Sequence, residues 1–259
     1  MASTTRTHDD YSVAIVCALP KKQTAAIAML DKRHLDLSNP VNDHNAYTLG
    51  SMSNHNVVIA CLPKGIIGTS SAATVATQVI STFPSVRFGL MVGIDGGVPP
   101  KVRLGDVVVS VPTDDFPGVV QWDLRKAEQD DTFRQRGKLN NPPRLLLAVL
   151  TKLESKHTME GSSISQYMKD MFVRYPRLAS TYVKSDTLQV LCFHPDYSHV
   201  STISTHAVSK ECAFRDLVND RLAGNILCFE MEAAGLMTNF PSAVIRDICD
   251  YCDSYKNKD

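Results

Sequence analysis

The sequence predicts a single α/β domain with a mixed central sheet flanked by helices. Short apolar runs rich in β-branched residues alternate with longer segments of helical periodicity, which is typical of a sheet covered by helices. The chain has 259 residues, of which 44% are hydrophobic and 21% charged, so it is long enough to bury one large core. Residues 11–259 are expected to form this domain, and the polar residues 1–10 are expected to be flexible.

The N-terminal half supplies most of the predicted sheet. Residues 11–19 (YSVAIVCAL) are almost all apolar and predict a buried strand, and a helix is expected after Pro20 to about residue 30. Glycine and hydroxyl residues before position 71 are typical of a turn that caps a helix over residues 71–82. Further strands are predicted at residues 47–50, 56–62, 87–94 and 104–112, the last of them close to a hairpin with the strand before it.

The C-terminal half is more polar at first and then regular again. Helices are predicted at residues 143–155 and 164–174. Strands are predicted at residues 200–204, 225–229 and 242–249, with one helix ending near residue 218 and another over residues 233–239.

Charge and hydropathy exclude two classes of protein. The 27 basic residues balance 27 acidic ones, which removes the electrostatic case for binding nucleic acid or an anionic membrane. The longest apolar runs, such as residues 88–94, are far shorter than the roughly 18 residues of a membrane-spanning helix. Residues His8, Asp9 and Asp10 stand where a secretory signal needs apolar side chains, so the chain is expected to be cytoplasmic.

The seven cysteines are scattered and mostly lie in apolar runs, which predicts reduced, buried thiols. Cys249 and Cys252 have the C-x-x-C spacing of a redox or zinc site, but no second pair or nearby histidine completes four ligands. No metal site is therefore predicted.

Two carboxylates interrupt the apolar run of residues 227–237. Glu230 and Glu232 flank Met231 in a segment that is otherwise apolar enough for the core, where an unpaired charge is costly. Either a carboxylate binds a polar ligand, or one glutamate caps a helix and the other is exposed. Both interpretations stay open at this point.

Two further segments follow predicted strands. Asp250 comes after the strand of residues 242–249, and ligands of open α/β sheets bind beyond such carboxyl ends; a capping role in the loop is the alternative. The glycines around Asp95 (GIDGG, residues 93–97) allow a close approach of the backbone to a ligand, or a tight turn. They do not fit G-x-G-x-x-G, which argues against a nicotinamide-dependent oxidoreductase.

Five separated segments, taken in order, resemble a nucleoside phosphorylase domain. They are residues 11–20 (YSVAIVCALP), 88–99 (FGLMVGIDGGVP), 103–110 (RLGDVVVS), 228–237 (CFEMEAAGLM) and 245–258 (IRDICDYCDSYKNK). The superfamily includes purine nucleoside and uridine phosphorylases and the nucleosidases of methylthioadenosine and adenosylhomocysteine. The sequence is most similar to the fungal version, which often forms the N-terminal module of larger receptor-like proteins. The resemblance implies a nucleoside phosphorylase-like fold that cleaves the N-glycosidic bond of a nucleoside with phosphate or water.

The resemblance also implies roles for individual residues. Asp250 corresponds to the acid that protonates the leaving base, and Glu232 to the carboxylate that binds the ribose hydroxyls. The substrate-binding positions that it implies are Lys22, Gly93, Ile94, Asp95, Gly96, Glu230, Met231, Glu232 and Arg246. No cofactor is implied besides phosphate as a possible co-substrate. A homo-oligomer is expected, in which residues 116–123 of a neighbouring subunit close the pocket.

Four features depart from the family's pattern. Lys22 stands where nucleosidases carry a glutamate that activates water, and Asp95 stands where the fungal pattern has glycine. Residues 201–208 differ from the stretch that lines the base, and the sequence stops after the Asp250 loop, where members continue into a closing helix. These departures support an alternative: a catalytically impaired nucleoside-binding or interaction module of the same fold.

Overall fold

The computed structural model describes residues 6–113, 116–123, 125–127, 133–135, 137–182 and 212–252. Its strands are β1 (Val13–Cys17), β2 (Lys32–Arg33), β3 (Tyr47–Met52), β4 (His55–Cys61), β5 (Phe88–Gly97), β6 (Val107–Val109), β7 (Arg125–Ala127), β8 (Phe133–Gln135), β9 (Cys228–Phe229) and β10 (Ser242–Asp250). Its helices are α1 (Pro20–Ala28), α2 (Thr69–Thr82), α3 (Arg144–Glu160), α4 (Ile164–Arg174), α5 (Ala179–Tyr182), α6 (Cys212–Arg221) and α7 (Ala233–Met237). The predicted strand at 200–204, the segment 201–208 and the last residues, 253–259, lie outside the described residues.

Eight of these strands form one mixed sheet in the order β2-β3-β4-β1-β5-β10-β6, with β9 paired to the end of β5, and β7 and β8 pair in a separate two-stranded sheet. The central strands β4, β1, β5 and β10 are parallel, whereas β3, β6 and β9 pair antiparallel to their neighbours. All five residues of β1 are buried, as expected for a central parallel strand with β-branched side chains. The predicted mixed α/β sheet is confirmed.

Helices cover both faces of this sheet. Helix α1 packs through Ala26 on one face, and α2 and α7 pack on the other, where Val79 and Leu236 belong to the larger hydrophobic cluster. Residues in register on parallel strands share a face. Arg246 of β10 is in register with Gly93 of β5, so both lie on the face that α2 and α7 cover.

Two predictions about local structure are wrong. Residues 93–97 do not form a turn: β5 continues to Gly97, because β10 pairs along it and β9 pairs with its last two residues. The strand expected at 104–112 is shorter, Val107–Val109, and it makes no hairpin with β5. It pairs antiparallel with β10, which is next to it in the sheet but far from it in the sequence.

Part of the N-terminus that was expected to be flexible has a defined place. His8–Asp10 form one turn of 3-10 helix, and the ring of His8 contacts the ring of Phe83, with centroids 5.1 Å apart. Residues 1–5 lie outside the described residues. No helix among the described residues is both long and apolar enough to cross a membrane.

Candidate functional site

The carboxyl ends of β5 and β10 bring the predicted site segments to one edge of the sheet. Asp250, the last residue of β10, is in register with Gly96, and Gly96 pairs with Phe229 of β9. Glu230 follows Phe229 directly. Asp250 and the Glu230-Met231-Glu232 segment, about 20 residues apart in sequence, therefore lie on either side of the end of β5.

A β-bulge positions Asp250. The register of β10 on β5 shifts between Ile248 and Asp250, which leaves Cys249 as the extra residue. Oδ1 of Asp250 accepts the Cys252 N–H at 2.9 Å, and the Cys249 thiol lies 3.8 Å from Oδ2. A methyl group at Gly96 would collide with Cys252 Sγ and crowd Asp250 Oδ1, so glycine is needed where the loop crosses β5.

Arg246 is the centre of a buried charge network. Its side chain is 1% exposed, with Nε 2.7 Å from Asp95 Oδ2 and Nη2 donating to Glu230 Oε2 at 3.0 Å. The contact with Asp95 is an ion pair without the alignment of a hydrogen bond, and Nη1 of Arg246 has no hydrogen-bond partner among the described residues. The carboxyl group of Asp95 thus lies directly against the guanidinium of Arg246.

The two glutamates take different places. Glu230 Oε2 also accepts the N–H groups of Glu232 and Ala233, at 2.8 and 2.6 Å, so this carboxylate caps the start of α7 as well as binding Arg246. Glu232 is the N-cap residue of α7, with only 4% of its surface exposed. Met231 between them is 40% exposed and lies at the surface of the site.

Lys22 reaches the same network from the first turn of α1. Its Nζ donates to the carbonyl of Ile94 at 3.3 Å, and the residue is 8% exposed. A Cβ at Gly93 would lie 2.8 Å from Lys22 Nζ and would collide with Arg246 Nη1. Gly93 is therefore required, because a side chain there would occupy the space of the Arg246 guanidinium and the Lys22 ammonium group. The alternation of β5 turns the side chain of Ile94 to the opposite face, so Ile94 contributes only its carbonyl.

Burial perturbs the ionisable groups of this network. Burial raises the pKa of Asp95 to about 8, although Arg246 opposes the shift. Burial, followed by the nearby Glu230, raises the pKa of Glu232. Burial also lowers the pKa of Lys22, and the charge of Arg246 adds to this. Such perturbed groups around a cleft are typical of functional sites.

A cavity of 220 Å³ adjoins the network between β9, α6 and the loop of residues 116–122. Glu230 and Arg246 lie at its polar end, and Phe229 and Trp122 are among its apolar walls. The Trp122 ring contacts the Phe214 ring of α6, with centroids 5.1 Å apart. The loop that was expected to close a neighbour's pocket thus packs on its own chain, and the homo-oligomer stays a prediction.

The structure adds one residue that the sequence did not single out. Arg215 of α6 is 4% exposed, and its Nη1 donates to the Tyr251 carbonyl at 2.8 Å, so it ties α6 to the Asp250 loop. The sequence contains a pattern that indicates this burial. Helical spacing places Arg215 on the same face as the apolar residues Val218 and Leu222. Among the described residues, no group of three or more histidine, cysteine or acidic side chains is arranged to hold a metal ion.

Replacing Arg215 should loosen the loop that carries Asp250. In Arg215→Gln we expect the free energy of unfolding to fall by about 1.5–3 kcal/mol, the usual worth of a hydrogen bond from a charged group. The Cys252 amide, which donates to Asp250, should exchange its hydrogen faster. Urea unfolding and hydrogen exchange measure both. Arg221→Gln, at the exposed end of the same helix, is the control, and equal effects in the two variants would contradict this role.

Solved structures similar to this chain are nucleosidases and related hydrolases. The 5′-methylthioadenosine/S-adenosylhomocysteine nucleosidase of S. pneumoniae, solved with a transition-state inhibitor, has a TM-score of 0.55 at 17% identity and covers 94% of this chain and 87% of its own. Futalosine hydrolase of Helicobacter pylori has a TM-score of 0.56 at 15% identity and covers 96% and 88%. The chain has the nucleoside phosphorylase/nucleosidase fold. At these identities the likeness establishes the fold alone.

The comparisons of sequence add one relative. A nucleotide-binding leucine-rich repeat (NLR)-like protein of Hyaloscypha variabilis is 39% identical over 282 residues, which cover 96% of this chain. The same match covers 27% of that protein, so the chain spans little more than a quarter of its relative's length. No family model matches the chain.

Proposed function

We propose that this chain binds a nucleoside at the end of β5 and cleaves its N-glycosidic bond. The observation that carries the proposal is the pair of sheet contacts that join Asp250 to Gly96 and Gly96 to Phe229, next to the Glu230-Met231-Glu232 segment. Asp250 protonates the leaving base, and Glu232 accepts hydrogen bonds from the ribose hydroxyls. Met231, exposed at the surface of the site, packs on the sugar.

The chemistry of glycosidic cleavage needs these groups on two sides of one bond. As the bond between the sugar and the base breaks, the base gains electrons and the sugar gains positive character. An acid at the base stabilises the first change, and carboxylates near the sugar stabilise the second. Glu232 lies within the buried charge network of Arg246, where low water content strengthens such interactions.

The charges favour water over phosphate as the nucleophile. Arg246 is already in contact with the carboxyl groups of Asp95 and Glu230, and Glu232 adds a third acidic group. Against them stand two cations, Arg246 and Lys22, whose charges the carboxylates offset. An incoming phosphate dianion would have to displace a carboxylate from Arg246 and would meet like charges, whereas a neutral water would not. We therefore propose a hydrolase with no cofactor.

The test is an assay of base release. Purified chain is incubated with adenosine, inosine, methylthioadenosine or ATP, with and without phosphate, and free base is separated by chromatography. We expect release from at least one of these compounds, at a rate that phosphate does not raise and with free sugar as the other product. If none of them yields free base under either condition, the chain is not a nucleoside-cleaving enzyme.

A second candidate function is a nucleoside-binding module without turnover. Two observations favour it: the ion pairs that already occupy Arg246, and a relative described as an NLR-like protein in which this chain matches only one part. Calorimetry with adenosine and ATP separates the two. Binding with no release of base would support the module, and turnover would exclude it.

A further inference from the structure

Hydrolysis at this site requires a group that takes a proton from the attacking water, and few described side chains of the network are available. Lys22 is no base while it is charged. One oxygen of Glu230 already accepts three N–H groups, from Arg246 and from the start of α7. Glu232 is assigned to the ribose hydroxyls in the proposed function. Asp95 is the acidic group that remains.

We propose that Asp95 is the general base that activates the water, an inference that rests on the function proposed above. Oδ2 of Asp95 lies 2.7 Å from Arg246 Nε, so an ion pair holds the carboxyl group against the guanidinium. Oδ2 is buried and, among the described residues, has this ion pair but no aligned hydrogen bond, so we assign the other oxygen, Oδ1, as the one that accepts the proton. The residue is 9% exposed, so most of its surface is shielded from bulk solvent.

The backbone holds Asp95 in place relative to Asp250. Asp95 is in register with Ile248, two residues before Asp250, and its carbonyl accepts the Cys249 thiol at 3.5 Å. Asp95 and Gly96 are adjacent, and Gly96 lies against Asp250 Oδ1. The proposed base and the proposed acid therefore lie on neighbouring strands, one residue apart in register, at the same edge of the sheet.

The step balances in atoms and charge. The water oxygen forms a bond to the anomeric carbon while Asp95 Oδ1 takes a proton from that water. The bond between the anomeric carbon and the base nitrogen breaks, and its electron pair goes to the base, which receives the proton of Asp250. Asp95 then loses its proton to solvent and Asp250 regains one, so the products are free base and free sugar.

The protonation of Asp95 gives the reaction a characteristic pH dependence. Because burial raises the pKa of Asp95 to about 8, its basic form becomes more abundant as the pH rises toward that value. The ionisable groups near it are Arg246 on β10, Lys22 on α1, Glu230 and Glu232 at the start of α7, and the thiols of Cys228 on β9 and of Cys252 after β10. Arg246 and Lys22 lower its pKa, and the two glutamates raise it. We expect the rate of base release to rise with pH up to about 8.

The experiment compares Asp95→Asn with the wild-type chain and with Asp247→Asn, a matched change on β10 whose register partner is Ile94, on the opposite face. We expect Asp95→Asn to lower kcat about 100-fold with little change in KM, and to abolish the rise with pH. Asp247→Asn should keep both the rate and the profile. A wild-type chain that hydrolyses nucleosides while Asp95→Asn keeps its rate within about threefold would overturn this inference and leave the proposed function standing. No base release from the wild-type chain would overturn both.

A second variant keeps the inference testable if Asp95→Asn does not fold. Lys22→Met removes a cation that lowers the pKa of Asp95, so the midpoint of the wild-type pH profile should move to higher pH. An unchanged midpoint in a folded Lys22→Met chain would show that the group that titrates is not Asp95.

Discussion

The Asp250→Asn variant is expected to release base about 1,000-fold more slowly than the wild-type chain, within the range that general acid catalysis contributes. An amide cannot transfer a proton to the leaving base, so the base would have to depart as an anion. The fold should survive, because the amide oxygen can still accept the Cys252 N–H that Asp250 Oδ1 accepts at 2.9 Å. Single-turnover chromatography measures the rate, and calorimetry measures nucleoside binding, which should be retained.

The control for this variant is Asp247→Asn. Asp247 lies on the same strand, is half-buried, and is in register with Ile94, whose side chain points to the α1 face. The same chemical change at that position should leave the rate within about twofold, as for a substitution outside the site. If the two variants lost the same amount of rate, the loss would reflect a disturbance of β10 and not the removal of the acid.

The Arg246→Met variant is expected to lose about 3–5 kcal/mol of the free energy of unfolding, the cost of leaving buried charges without their partner. Methionine fills much of the space of the arginine, but Asp95 and Glu230 would both lose the guanidinium that lies 2.7 and 3.0 Å away. Burial then favours protonation of Asp95, because the guanidinium that opposes it is gone. Urea unfolding, followed by circular dichroism, measures the change in the free energy of unfolding.

A surface arginine provides the comparison for this loss. Arg103 pairs with Asp106 at 3.0 Å, but its side chain is 84% exposed. Arg103→Met should leave the free energy of unfolding unchanged within error, since exposed ion pairs contribute little. Adding Asp95→Asn to Arg246→Met should recover part of the lost free energy of unfolding, because it removes one of the two carboxyl groups left without the guanidinium. A loss in Arg246→Met no larger than in Arg103→Met would contradict a central role for the network.

Local sequence patterns were sufficient to predict most of the sheet and the place of Asp250. The apolar run around Val13–Cys17 and the periodicity of residues 164–174 are strong local signals, and both elements occur. The end of β5 was mispredicted for a physical reason. Glycines are typical of turns when they are judged locally, yet here they are in a strand because Arg246, Asp250 and Cys252 need the space above them.

The charge network could not be predicted from local patterns, because it depends on contacts between distant parts of the chain. Lys22 and Asp95 each stood out as a departure from the family's pattern, one with a cation and one with an anion. Only the fold brings both beside Arg246, more than 150 residues further along the chain than Asp95. Arg215 was missed for a similar reason, since a charged residue on a helix is usually exposed and its buried partner, the Tyr251 carbonyl, carries no signal in the sequence.

The most direct test of the account is a crystal structure of the Asp250→Asn chain grown with methylthioadenosine. We predict an intact nucleoside across the end of β5, with a base nitrogen within hydrogen-bond distance of residue 250 and the ribose hydroxyls on Glu232. A nucleoside bound only in the cavity beside Trp122, or one that contacts residue 250 but leaves Glu232 without the sugar, would contradict the proposal that these two groups act on one glycosidic bond.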